Sequence, residues 1–145
     1  MSRTYQTLGF WLYQELQPFI GVGKHDHKLK VPGGDTYQVK MSSTRLECFR
    51  RSPKCAACGL VGEFFALEFH VRDIGSVIKP HINLYGVGKG DLILMTQDHI
   101  IPQCLSEKRQ GSKGFHQMDN LETNCEVCNT RKDCKLPKWV GGGLL

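Results

Sequence analysis

Two C-x₂-C pairs, Cys55–Ala56–Ala57–Cys58 and Cys125–Glu126–Val127–Cys128, constrain this chain more than any other feature. One such pair is weak evidence of anything, but two supply the four thiolates of a closed tetrahedral zinc site. No histidine stands at finger spacing behind the second pair, so the expected ligand set is Cys55, Cys58, Cys125 and Cys128. The chain must then fold back on itself to bring distant segments together. A filled coordination shell leaves no position for substrate, so this zinc is expected to hold the fold, and its removal to unfold it.

Seven cysteines in 145 residues also fit a secreted disulfide scaffold. Against that, the first residues show no basic stretch, apolar core and small-residue cleavage site. No apolar run approaches the roughly 18 residues of a membrane span. The expectation is a cytoplasmic protein with reduced cysteines and no membrane partner. Hydrophobic content of 40% and charged content of 23% indicate a folded, single-domain chain. The net charge of +5 fits a polyanionic partner without requiring one.

Along the chain, Leu8, Trp11, Leu12, Leu16 and Phe19 recur at three- and four-residue steps, which predicts an N-terminal amphipathic helix over residues 4–20. Residues 21–34, with glycines, a proline and the His25-Asp26-His27 triplet, read as a loop. Residues 36–49 mix β-branched, aromatic and polar positions and predict one or two strands, with Cys48 half-buried. Residues 62–70 alternate Phe65, Leu67 and Phe69 against Phe64, Ala66 and Glu68, a strand pattern. The runs at 81–85 and 92–96 flank a glycine-rich turn and predict a hairpin. Residues 103–117 read as an exposed basic loop and 141–145 as a frayed tail. The expected division is an N-terminal extension over 1–50 packed on a core over 51–140, all within one domain.

The stretch from Met95 to Lys132 carries the chemistry. Asp98-His99 ends an apolar run, Asn120 stands in an asparagine-rich turn, and Asn129 lies directly behind Cys128. Asp98 and Asn129 offer oxygen ligands, which suit magnesium or manganese rather than zinc. Few protein ligands leave room for water and phosphate oxygens. His99 has an ordinary pKa of about 6.5, right for taking a proton from water near neutrality.

DHIIP at 98–102, a basic glycine-containing segment, and DNLETNCEVCNTRK at 119–132 together resemble the HNH endonuclease motif. The likeness is to the zinc-bearing branch that reads D-H-I-x-P, N-L, C-x₂-C-N and a trailing lysine. It spans Cys55 to about Lys132, roughly half the chain; phage-encoded nucleases resemble this arrangement, and for a phage-encoded chain the implied location is the cytoplasm of a bacterial host. The resemblance implies an α+β fold containing a ββα-metal finger stapled by the Cys₄ zinc, with the N-terminal helix and further antiparallel strands added. It also implies roles: His99 activates water, Asp98 binds the cation, Asn120 supports the loop and the base, and Asn129 is the second cation ligand. Asparagine rather than histidine at this last position favours magnesium or manganese.

DNA contact is then expected through phosphates, from Arg50, Arg51, Lys54, Lys108, Arg109, Lys113, Arg131 and Lys132. No base-reading module is evident, so nicking or low-specificity cleavage is expected. Two alternatives stay open: a zinc-stabilised nucleic-acid-binding or regulatory protein that does not cut, and a nuclease acting on RNA.

Overall fold

The computed structural model describes residues 5–21, 26–73, 79–100 and 120–132. Within them the chain is a mixed α+β fold with antiparallel sheets. Strands β1 (Tyr5–Leu12), β4 (Phe64–His70), β5 (His81–Gly88), β6 (Asp91–His99) and β7 (Leu121–Cys125) form one sheet in the order β1-β4-β5-β6-β7. Strands β2 (His27–Lys30) and β3 (Thr36–Val39) form a separate pair. Helices α1 (Tyr13–Leu16), α2 (Thr44–Arg51) and α3 (Glu126–Lys132) complete the described elements, with short 3₁₀ turns at Gln17–Phe19 and Val71–Asp73.

The expected N-terminal helix is a strand. Residues 5–12 pair antiparallel with β4, from Tyr5 opposite His70 to Leu12 opposite Phe64, and helix is confined to Tyr13–Leu16. The register slips between Thr7 and Gly9, so Leu8 is an extra residue. That bulge puts Leu8 and Trp11 against the core at a spacing of three, which mimics a helical period, while Phe10 and Leu12 stay exposed. The N-terminal segment is therefore an edge strand of the main sheet, hydrogen-bonded into it rather than laid over it.

Two further expectations shift. Residues 27–30, read as loop, form β2, and only 36–39 of the 36–49 stretch is strand. Ser43 caps α2, its Oγ accepting from the Leu46 N–H at 3.2 Å, and Leu46, Cys48 and Phe49 turn inward. Leu46 and Phe49 meet Phe65 and Leu67 of β4, Ile82 and Leu84 of β5, and Met95 of β6 in one core. This core lies on the sheet face opposite Phe10, Ala66 and Glu68.

The β5–β6 hairpin is present as expected but longer on both arms. Lys89 and Gly90 both have positive φ, 52° and 78°, the two-residue turn whose twist suits a hairpin. β6 divides its pairing: Asp91 to Leu94 face β5, and Met95 to His99 face β7. Further along β5, the Ile82 carbonyl accepts from Arg45 Nη2 at 2.7 Å, and that guanidinium lies 5.5 Å from the Phe49 ring centre. The second half of β6 is thus committed to β7, and α3 follows β7 without a break.

Candidate metal centre and the Asp98 cluster

The first cysteine pair sits in a tight loop after α2. Lys54 bridges to Val61, the Cys55 N–H donates to Leu60 O at 2.7 Å, and Gly59 N–H donates to Cys55 O at 2.9 Å. Gly59 turns the chain at φ 82°, a conformation that side chains resist. Opposite, a Cβ on Gly86 would lie 2.8 Å from Val61 O, so only glycine lets β5 approach this loop. The Ala56 N–H donates to Thr123 O at 2.9 Å, which ties the loop to the outer edge of β7.

The second pair straddles a junction: Cys125 ends β7 and Cys128 lies in α3. In each pair the second cysteine's N–H points at the first one's sulfur, Cys58 to Cys55 Sγ at 3.5 Å and Cys128 to Cys125 Sγ at 3.4 Å. All four sulfurs lie within 4.8 Å of one another. Cys58 and Cys125 are 3.8 Å apart, about the edge of a tetrahedron with Zn–S bonds near 2.3 Å. The four cysteines can therefore hold a metal ion such as zinc, in agreement with their spacing in the sequence.

The thiols are electrostatically uneven. Burial works against ionisation of Cys55, but the N–H groups of Cys125, Cys58 and Ala57 outweigh it and bring the thiol down to about 7. Burial and the neighbouring sulfurs push Cys125 and Cys128 up. One thiolate forms readily and the next ones are opposed, a conflict that a divalent cation among them resolves. Cys48 stands apart: it is buried with its sulfur 3.6 Å from Thr123 Oγ1.

Asp98 and His99 end β6, opposite Glu122 and Leu121 of β7. Asp98 Oδ1 accepts from the His99 N–H at 2.9 Å. Its Oδ2 accepts from Asn124 Nδ2 at 2.9 Å and lies 2.9 Å from Lys132 Nζ. The same ammonium is 3.6 Å from Glu122 Oε1 and donates to the carbonyl of His99. Asn129, one helical turn before Lys132, donates from Nδ2 to Thr96 Oγ1 at 3.1 Å. Thr96 and Asp98 are alternate residues of one strand and share a face, so α3 lays Asn129 and Lys132 along β6 in register with them. Asn120 precedes β7, and its carbonyl accepts the Ile100 N–H at 2.8 Å, closing the strand pair beside His99.

The basic residues separate into groups. Arg50 is bound to Glu47, its Nε 2.9 Å from Oε2. Arg51 and Lys54 line a cavity of about 570 Å³ with Ser52, Glu122 and Thr123, and neither has an ion-pair partner among the described residues. Arg131 is exposed, whereas Lys132 is turned inward. Lys108, Arg109 and Lys113 lie outside the described residues, as do the expected basic loop and the tail.

Sequence reasoning missed Thr96, and it missed Glu122 and Asn124 because the stretch before Cys125 read as an asparagine-rich turn rather than as a strand. The alternation Leu121, Thr123, Cys125 against Glu122, Asn124 carries the strand signal, and it places both polar residues on the Asp98 side. No helix among the described residues is long and apolar enough to cross a membrane. Compared with protein-family models, with curated proteins and with solved structures, the chain finds no match in any of the three.

Proposed function

We propose that this chain is a metal-dependent endonuclease of the HNH class that hydrolyses DNA phosphodiester bonds, with β6, β7 and α3 as its ββα finger. One observation carries the reading: Asp98 and His99 end a strand whose flank is covered by a helix bearing Asn129, and that helix begins inside a cysteine cluster. The residues fit a hard cation through the oxygens of Asp98 and Asn129, and the cysteines fit zinc.

Asp98 and Asn129 would hold a magnesium or manganese ion, whose positive charge would stabilise the pentacovalent transition state and the departing 3′ oxygen. His99 takes the proton from the attacking water, and Asn120 keeps the end of the strand pair in place beside it. Lys132 Nζ lies 2.9 Å from Asp98 Oδ2, so a cation bound there would compete with its ammonium for that oxygen. Arg51, Lys54 and Arg131 contact neighbouring phosphates, and salt weakens that contact steeply.

The cysteine centre acts indirectly. Cys128 and Asn129 are adjacent on α3, so metal in the cluster fixes the start of the helix that presents Asn129.

The test is nicking of supercoiled plasmid with magnesium or manganese, beside His99→Ala protein of verified zinc content. The expected result is cleavage by the parent and none by the variant. Equal cutting by the two removes the mechanism, and the same assay with RNA decides the substrate.

The non-cleaving reading has a specific observation in its favour: Asp98 is already neutralised by Lys132, and Asn129 is engaged with Thr96. A parent protein that binds duplex DNA and leaves it intact across both cations would establish that reading.

A further inference from the structure

We propose that Asn124 is a positioning residue that fixes the Asp98 carboxylate at the proposed cation site. The proposal rests on the nuclease reading of Asp98 as a cation ligand.

Asn124 is 2% exposed, and every polar atom of its side chain is used. Nδ2 donates to Asp98 Oδ2 at 2.9 Å and to Glu122 Oε1 at 3.3 Å. Oδ1 accepts from the Cys55 thiol at 3.6 Å. Its backbone carbonyl accepts from Thr96 Oγ1 at 2.9 Å, and Thr96 Oγ1 accepts in turn from Asn129. One residue therefore touches a cluster sulfur, one proposed cation ligand directly and the other through a single hydroxyl.

A strand-end aspartate is otherwise free to change rotamer. Here its carboxylate is held on both oxygens, by the His99 N–H on Oδ1 and by Asn124 on Oδ2. Asparagine is the residue type this place needs. Aspartate would add a third carboxylate beside Asp98 and Glu122, and an apolar side chain of like size could donate to neither. Metal in the cluster removes the Cys55 proton and with it the bond to Oδ1. The two bonds from Nδ2 to carboxylates then keep the amide facing Asp98. Partners of this kind set ligand orientation, and their loss lowers metal affinity by about ten- to a hundredfold.

The experiment measures Mn²⁺ binding to the full-length, zinc-loaded chain by the loss of the free-ion EPR signal, with zinc content determined on the same samples. Parent, Asp98→Ala, Asn124→Leu and Asn124→Ser are compared. Asp98→Ala is expected to lose the site. Asn124→Leu is expected to keep one zinc per chain and to bind Mn²⁺ at least about tenfold more weakly. Asn124→Ser, which keeps one short donor, should fall between, and it serves if the leucine variant does not fold. Parent-like affinity in a folded Asn124 variant, with Asp98→Ala silent, overturns the positioning role and leaves the nuclease reading standing. Affinity that falls only in proportion to lost zinc makes Asn124 structural and also overturns it. Binding by Asp98→Ala equal to the parent, or no binding by the parent, overturns both.

Discussion

Two carboxylates on the same face of the sheet have been treated in opposite ways. Glu68 is 2% exposed and, among the described residues, is met by neutral donors: Thr7 Oγ1 at 3.2 Å, Asn83 Nδ2 at 2.9 Å and the Tyr85 hydroxyl. Asp98 is half-buried at a strand end and is met by one amide, one backbone N–H and one lysine ammonium. Glu68 lies in β4 between two paired strands, and its donors stand on those strands. Asp98's strongest partner is a long side chain that can be displaced. A cage of neutral donors marks a carboxylate that holds structure together, and a cationic partner marks one whose charge another cation can take over.

Metal removal separates the two most widely. Chelation of the cluster is expected to strip amide hydrogen-exchange protection from β7 and α3, which Cys125 and Cys128 join, while β4 and β5 keep the most. Structural zinc is worth on the order of 10 kcal/mol in small domains, so global stability should fall as well. Equal loss of protection at Glu68 and at Asp98 would show that both belong to one cooperative frame and would break the contrast.

Substitution gives the next largest effect. Asp98→Asn should lower plasmid nicking by about a hundredfold or more, with at most about 1 kcal/mol lost from stability. Glu68→Ala should do the reverse, costing about 3 kcal/mol in urea denaturation because it leaves buried Asn83 and half-buried Thr7 and Tyr85 without their acceptor, with unchanged activity per folded molecule. A stability loss at Asp98 as large as that at Glu68 would make Asp98 a structural carboxylate too.

The same contrast explains what the amino-acid sequence disclosed. The Cys₄ cluster was legible because metal ligation needs a residue type at a fixed spacing, and Asp98, His99 and Asn129 stood out for a similar reason. The β4 strand and the β5–β6 hairpin were legible from strict alternation and a glycine turn. β1 was not, because the bulge at Leu8 resets its alternation and leaves a spacing of three. β7 was hidden by Glu122, Thr123 and Asn124, polar residues whose burial depends on partners far away in the chain: Asp98, Ser52 and Cys55. Glu68 was equally invisible as a buried charge, since its three donors come from two other strands, Thr7 of β1 and Asn83 and Tyr85 of β5.

Thr123 offers a smaller test at the joint between these regions. Its hydroxyl donates to Ser52 O at 2.6 Å and so fastens the end of α2, with Arg51 and Lys54 beyond it, to β7. Thr123→Val should cost about 1 kcal/mol, read by urea denaturation. It should weaken DNA binding more than it weakens Mn²⁺ binding, because the Asn124 side of the strand is untouched. Equal loss of both would mean that β7 moves as a unit.

The smallest effect is expected farthest from Asp98, where Tyr13 holds the end of β1 to the end of α2. Its hydroxyl donates to Phe49 O at 2.7 Å, and burial, partly offset by nearby Arg50, raises its pKa above the ordinary value of 10.0. A raised pKa means that the folded state retains the proton longer than the unfolded one does. The bond's contribution is therefore whole below about pH 10 and fades as pH rises through the higher folded value. Tyr13→Phe should cost about 1 kcal/mol at neutral pH, and its deficit against the parent should shrink above pH 10. Nicking near neutrality should not change, because nothing in the Asp98 cluster touches this joint. A loss of activity in Tyr13→Phe would show that α2 carries strain from the β1 edge to Arg51 and Lys54, and the two carboxylates would then be less independent than their partners indicate.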